Sequence, residues 1–256
     1  MTAMRLKRYP SPSGGFALGK MGVGATMLKQ GKTAKDYVQD GLVAMWDGIE
    51  NAGWGVHDAN ATVWKDLVGG LGDLTLSGGY AILGAGVDFD GISGIATGPK
   101  LGPNSGYSGI HIEFCLTPKP SGKFGSCGFT FAGVNSYRPS LYVSSSSFVA
   151  VLITGSNYNT EIVPCTRNSM TISGGGSNGS FLTALNGEIK ANFTDSNQHF
   201  DKSSNYFRVG GYGSAENTVS RYEAEIGHCI RLYSRALTAS VIAANYAIDK
   251  ERFNLP

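Results

Sequence analysis

From Tyr222 to Tyr233 apolar and polar residues alternate one for one. Tyr222, Ala224, Ile226, Ile230 and Leu232 fall on one face of an extended chain, and Glu223, Glu225, Arg231 and Tyr233 on the other. A period of two predicts a strand with one buried and one solvated face, so Ile230 is expected in the core and Arg231 in water. After Tyr233 the period becomes helical. Leu237, Val241, Ala244 and Ile248 recur at that spacing up to Phe253, with Ile242 and Tyr246 beside them, and Thr238 stands where an N-cap belongs. Upstream, shorter runs also read as strands: Leu42–Asp47, Asp73–Leu76, Val87–Asp90, Phe124–Val134, Ser140–Val143, Ser147–Thr154 and Tyr206–Gly210. Ile110–Pro118 sets Ile110, Ile112, Phe114 and Leu116 against His111, Glu113 and Cys115, and Ser180–Ala191 carries the hairpin signal Asn186-Gly187. Many short strands and one terminal helix predict an all-β chain of two stacked antiparallel sheets.

The strand and helix at the chain's end resemble the C-terminal signature of the concanavalin A-like jelly rolls, in particular the bacterial and phage laminin-G-like subgroup. The residues that carry the likeness are Gly227, Ile230, Arg231, Leu232, Tyr233, Arg235, Leu237, Thr238 and Ile242. Three further stretches fit: Gly41-Leu42-Val43 with Trp46, the Val87–Gly91 turn with its Phe-Asp-Gly, and the Asn186-Gly187 hairpin. Asp66 and Gly69 stand where the family has a turn. Val241 departs from the pattern, because the family's Glu at that place would complete a capping box. The resemblance runs from about Gly41 to Phe253. It implies a two-sheet antiparallel jelly-roll sandwich with one short C-terminal helix, in which Leu42–Asp47 lies near the C-terminal strand.

Charge divides the chain. Residues 1–35 hold Arg5, Lys7, Arg8, Lys20, Lys29, Lys32 and Lys35 and no acid, leaving 14 basic against 19 acidic residues, a net of −5, in the remainder. The division predicts a basic arm over 1–35 and a jelly-roll domain over 36–256. The arm is either an anchor to neighbouring subunits, through Arg5, Lys7, Arg8, Lys20 and Lys29, or a solvated tail. No stretch is long and apolar enough to insert in a membrane, and no signal peptide is expected. Cys115, Cys127, Cys165 and Cys229 lack metal-ligand spacing. Cys115 and Cys127, symmetric about Ser121, could face each other across a hairpin, and all four cysteines read as reduced, buried small hydrophobes with no disulfide indicated.

Catalysis is not expected. The β-glucanases that share this fold use a strand with three alternating carboxylates, and no such run occurs. Glu223 and Glu225 read as solvated strand charges, and Asp88 and Asp90 as turn residues accepting backbone N–H groups. No cofactor is expected beyond calcium, common in relatives, which Asp47, Asp58 and Asp66 could ligate only if their loops converge. Candidate ligand contacts are loop aromatics with polar neighbours. Asn51, Trp54, His57 and Asp58 lie in the insertion Glu50–Asn60, and Tyr137, Arg138, Tyr158 and Tyr212 in later loops. Gly53 and Gly55 flank Trp54 and no apolar period runs through the segment, so the indole is expected outside; the alternative is a Trp folded back under the sandwich. The function expected is a non-catalytic module that binds cell-surface glycan or protein, displayed on a virion or cell surface, for instance on a bacteriophage, in a larger or homo-oligomeric assembly. The alternatives are a purely structural virion or surface protein, and a glycan-active hydrolase.

Overall fold

A computed structural model describes residues 31–101, 109–119, 127–132, 140–143, 150–152, 168–177, 180–193, 205–212, 221–222 and 224–256. A 3-10 turn, Ala34–Asp36, comes first. The strands follow: β1 (Leu42–Asp47), β2 (Val63–Trp64), β3 (Leu74–Ser77), β4 (Tyr80–Leu83), β5 (Gly86–Asp90), β6 (Ile95–Leu101), β7 (Gly109–Pro118), β8 (Cys127–Ala132), β9 (Ser140–Val143), β10 (Ala150–Leu152), β11 (Met170–Ser177), β12 (Ser180–Leu185), β13 (Glu188–Phe193), β14 (Asn205–Val209), β15 (Gly211–Tyr212), β16 (Arg221–Tyr222) and β17 (Ala224–Tyr233). Helix α1, Ala239–Phe253, ends the series. One sheet has eight strands in the order β13-β12-β11-β7-β17-β5-β4, with β1 also paired to β17. The other has seven, β10-β9-β8-β14-β6-β3-β2, and β15 and β16 form a small ribbon. All pairings are antiparallel, so the fold class is the expected β-sandwich with a C-terminal helix.

Strand β17 is central. It pairs with β7 along one side, and with β5 and then β1 along the other. The expected neighbour, Leu42–Asp47, is therefore in place. The strict alternation from Tyr222 to Tyr233 is not. Gly227 pairs with Leu116 and Cys229 with Cys115, so His228 is an extra residue, a β-bulge, and the faces exchange there. Beyond the bulge Ile230 and Leu232 enter the sandwich interior. Before it Gly227 faces that interior, where a Cβ would lie 3.3 Å from the Trp64 ring and 3.4 Å from Phe114. Glu225, two residues earlier, is fully buried and accepts the Gly210 N–H at 3.1 Å. The expectation of a solvated Glu225 is thus corrected. Glu223 lies outside the described residues.

The sandwich interior is built from Trp46, Trp64, Phe89, Ile112, Phe114, Phe207, Ile230 and Leu232, with the Trp46 and Phe207 rings stacked 4.7 Å apart. The opposite face of the eight-stranded sheet, expected to be wet, is also dry. Tyr37, Met45, Cys115, Cys229 and Tyr233 pack there against Ile242, Ile248 and Phe253 of α1. The helix presents Ile242, Asn245, Ile248, Asp249 and Phe253 inward and leaves Ala244 exposed, a correction to the expected apolar stripe. Thr238 caps it as expected, accepting the Val241 N–H at 3.4 Å. Lacking a Glu at that place, the cap is one-sided.

Polar residues between sheet and helix bond to one another, leaving Glu113 Oε1 the oxygen of the cluster without a hydrogen-bond partner among the described residues. Arg231, fully buried, donates from Nε to Glu113 Oε2 at 2.9 Å and from both terminal nitrogens to Asp249 at 2.6 and 2.7 Å. Asp249 also accepts the Tyr37 hydroxyl at 2.6 Å and the Thr171 hydroxyl at 2.8 Å. Asn245 donates to Glu113 at 2.7 Å and to the Tyr233 hydroxyl at 2.8 Å. The guanidinium lies 4.1 Å from the Tyr37 ring centroid. Burial pushes the Glu113 carboxyl above its ordinary range, against the pull of Arg231. Removing one partner from such a cluster strands the others without water. Arg231→Ala should therefore cost about 3–5 kcal/mol in urea unfolding, as much as the about 2–5 kcal/mol of Ile230→Ala. A loss under about 1 kcal/mol would restore the wet-face expectation.

Local chemistry explains other elements. Asn186 and Gly187 take φ of 51° and 81°, the turn that hairpin β12–β13 requires. The Gly174–Gly176 run, legible only as low complexity, is part of β11, between β7 and β12. A Cβ on Gly175 would stand 2.1 Å from the Ile110 carbonyl oxygen, so the strands approach too closely for a side chain. Cys115 pairs in register with Cys229, not with Cys127, which is on β8 in the other sheet. Ala34 is fully buried and Thr33 and Asp36 form a capping box, so packed structure begins before the division expected at residue 36. Asp90 accepts the N–H groups of Ile92, Ser93 and Gly94, as expected, whereas Asp88 pairs with Lys119 instead. Burial pushes the Asp90 carboxyl up, but those three bonds and the Ser93 hydroxyl outweigh it and hold it at about 2. A depressed carboxyl stabilises the fold above its unfolded value of 3.8 and loses that contribution as pH falls toward 2. Asp90→Asn should flatten the decline in melting temperature between those two pH values; an unchanged slope would show that the turn does not depend on the charge.

Candidate functional site

The insertion Glu50–Asn60 leaves the end of β1 and returns to β2, and its backbone is tied at several points. Asn51 acts as the brace. Its side-chain amide donates to the Asp58 carbonyl at 2.8 Å and accepts the Asp58 N–H at 2.9 Å, while its own carbonyl accepts the Lys65 N–H at 2.9 Å. Asn51 is fully buried, so its expected role as a ligand contact is corrected to one of holding the loop shut. Within the loop, Gly53 and Val56 form an isolated bridge, with the Val56 N–H on the Gly53 carbonyl at 2.9 Å. Gly53 and Gly55 take φ of 136° and 70°, which a side chain would resist.

This tight turn drives Trp54 outward, 38% exposed, with Val56 at 51%. Lys35 Nζ lies over the indole, 5.4 Å from the ring centroid. His57 and Asp58 are exposed nearby in the chain. His57 Nδ1 lies 3.0 Å from the Ile49 carbonyl oxygen, which can only accept, so the proton is on Nδ1 and Nε2 is left to meet a hydroxyl. Asp58 turns Oδ1 to the Asn60 N–H at 2.8 Å. Glu50 joins the parts. One oxygen accepts the Gly55 N–H at 2.8 Å, and the other the Ala34 N–H at 3.2 Å and Arg252 at 3.3 Å. The structure thus fixes an exposed indole beside an ammonium and polar groups. Sequence reasoning misses Lys35, which the charge division places in the arm. The signal was present, because Thr33-Ala-Lys-Asp36 is a capping pattern and marks folded chain.

Tyr137, Arg138 and Tyr158 lie outside the described residues, as do Arg5, Lys7, Arg8, Lys20 and Lys29. Tyr212 is on β15. The calcium candidates do not converge. Asp47 is buried in an ion pair with Arg252 and caps the N–H groups of Ile49 and Glu50. Asp66 accepts four backbone N–H groups, from Met45, Val68, Leu71 and Gly72, and Asp58 is committed to its own turn. Among the described residues no group of three His, Cys, Asp or Glu could hold a metal ion. One pairing not legible in the sequence is His111 Nε2 with Ser173 Oγ at 2.7 Å. Both residues are buried, and burial, helped by the charges of Arg235 and Arg231, holds the imidazole down at about 3. No described helix is long and apolar enough to cross a membrane.

The fold defines the class: a two-sheet antiparallel β-sandwich closed by one C-terminal helix. A mutant Trypanosoma rangeli sialidase displaying trans-sialidase activity is similar over 83% of this chain and 33% of its own, with 15% identity and a TM-score of 0.61. The receptor-binding domain of a botulinum neurotoxin of the C/D mosaic serotype is similar over 81% of this chain and 51% of its own, at 13% identity and TM-score 0.60. Domain 4 of an extracellular arabinanase from Geobacillus stearothermophilus, in complex with arabinotriose, is similar over 80% of this chain and 98% of its own, at 16% identity and TM-score 0.54. This chain thus spans about a third of the sialidase and half of the toxin domain. No protein-family model matches the chain, and no curated protein does.

The brace generates a prediction. Asn51→Ala leaves the Asp58 N–H without its partner and the Asp58 carbonyl with only the Ala61 N–H, at 3.3 Å, and should cost about 1–3 kcal/mol in thermal or urea unfolding. It should also free the indole, seen as a red-shifted fluorescence component. A mutant with unchanged stability would show that the loop is held by its turn alone.

Proposed function

We propose that this chain is a non-catalytic recognition module that binds a cell-surface glycan or protein through the Trp54 loop. The observation that carries the reading is the outward indole on a turn tied by Asn51 and Glu50, since a held aromatic face loses little entropy on binding. A flat apolar surface under the Lys35 ammonium, with exposed His57 and Asp58 a few residues on in the same loop, suits the C–H face of a sugar and its hydroxyls. The printed ligands of two similar structures, arabinotriose on the arabinanase domain and a receptor for the toxin domain, support it. The burial of Glu225 supports a non-catalytic role, because it removes one member of the carboxylate pair Glu223/Glu225 from the surface. The finer assignment is to the laminin-G-like subgroup, displayed on a virion, as a fibre, tail or capsid decoration of a bacteriophage, in a homo-oligomeric or larger assembly. Its support is the family motifs and the seven basic residues, without an acid, in residues 1–35.

The test contrasts two tryptophans. Trp54→Ala should weaken retention on host cells or arrayed glycans by about 1–3 kcal/mol and leave the melting temperature unchanged. Trp64 is fully buried and donates its indole N–H to the Asp47 carbonyl at 2.9 Å. Trp64→Ala should therefore cost about 3–5 kcal/mol of stability. Equal melting losses would make the Trp54 loop scaffolding, and a wholly structural role would then be the better reading.

A further inference from the structure

Resting on the assignment of Trp54 to ligand contact, we propose that the ligand is an acidic glycan whose carboxylate or sulfate is held by Lys35 while Trp54 carries the adjoining sugar ring. Lys35 is exposed and has no carboxylate partner among the described residues, whereas its neighbours are matched. Lys32 pairs with Asp36 at 3.3 Å, and Arg252 with Asp47 and with Glu50 at 3.3 Å. The carboxylates around Lys35 are also committed. Asp36 accepts the Thr33 N–H at 2.7 Å and the Thr33 hydroxyl at 3.0 Å. Glu50 accepts the Ala34 N–H, the Gly55 N–H and Arg252. Among the described residues the contact of the ammonium is therefore the indole, 5.4 Å from its centroid.

The arrangement is held from below. Glu50 grips the Lys35-bearing turn with one oxygen, at the Ala34 N–H, and the Trp54-bearing turn with the other, at the Gly55 N–H. Two segments far apart in sequence thus meet through one carboxylate, and the spacing of cation and ring is a property of the fold. Ala34, fully buried, fixes the base of Lys35 as well. The chemistry then selects the ligand. A neutral sugar that stacks on this face must displace the ammonium from the ring and gives it nothing in return. A sugar bearing an anionic group draws the ammonium off the ring onto itself, so the cation–π contact is exchanged for an ion pair as the ring is covered by C–H groups. The flexible lysine stem permits that swing without moving backbone.

The full-length chain is tested on an array of acidic glycans (sialosides, uronates and sulfated sugars), each paired with its neutral counterpart, followed by calorimetry on the best pair. The wild type should prefer the acidic member by about threefold to fivefold at low salt, the worth of one exposed charge contact, and the preference should fade at about 0.5 M salt. Lys35→Gln should abolish the preference by weakening the acidic member and strengthening the neutral one, which no longer has an ammonium to displace; Lys35→Arg should retain the preference, and Trp54→Ala should remove binding of both. Loss of binding in Trp54→Ala with an unaltered acidic preference in Lys35→Gln overturns the inference and leaves the Trp54 site standing. A wild type that retains no arrayed glycan likewise overturns the inference and leaves the protein-binding arm of that reading standing, whereas binding that survives Trp54→Ala overturns both.

Discussion

Burying one guanidinium determines much of this molecule. Arg231 stands in the middle of the central strand, on the face turned away from the sandwich interior, and carries a charge that cannot be left dry without partners. Its partners come from distant parts of the chain: Glu113 from β7, 118 residues away, and Asp249 from α1, 18 residues on. Tyr37 reaches the same Asp249 across 212 residues. Packing the helix on this face by apolar contact alone would fix its depth but not its rotation. The bidentate Arg231–Asp249 contact admits one rotation, and Asn245, one helical turn before Asp249, adds a second bond to the same sheet. The ionic cluster therefore specifies where the helix lies, which is the best-attested use of such groups.

The cluster also reaches the candidate site. Arg252 continues the helix face by one turn and pairs with Asp47 and Glu50, so the acid that grips the Trp54 turn is itself tied to the helix. From Arg231 to the exposed indole runs an unbroken series of packed or hydrogen-bonded groups, through Tyr37, Arg252, Glu50 and Gly55. A loop that would otherwise wander is thus held by the same layer that covers the sheet. The surface feature and the buried network are one construction.

Much of this was legible in the sequence. The period of two placed Ile110, Ile112, Phe114, Ile230 and Leu232 in the interior, the change of period placed α1 and its Thr238 cap, and the glycines around Trp54 placed the indole outside. The failures share one physical cause, that periodicity tells the two faces of a strand apart but not what covers each. Arg231, Glu113 and Asp249 look like solvated charges until their mutual distances are known. The bulge at His228 adds a residue that leaves the local pattern intact and shifts the phase beneath it, which is how Glu225 came to be misplaced. Gly174–Gly176 lack the side chains by which a strand is recognised, and at Gly175 the close approach of β7 and β11 forbids one. Asn51 and Trp54, three residues apart, were indistinguishable as loop residues, although one is brace and the other surface.

The order in which the strands are made carries a consequence for biosynthesis. β17 fills the slot between β7 on one side and β1 and β5 on the other, yet it is translated after all of them. Until it emerges from the ribosome, β7 and β1 present bare edges, and no partial sandwich can close around the Trp46 and Phe114 rings. Pairings of such long sequence separation fold slowly and leave unpaired edges open to association in the interval. The nascent chain must therefore be kept apart from its neighbours until its last strand is released, after which sheet, helix and ionic cluster can form together.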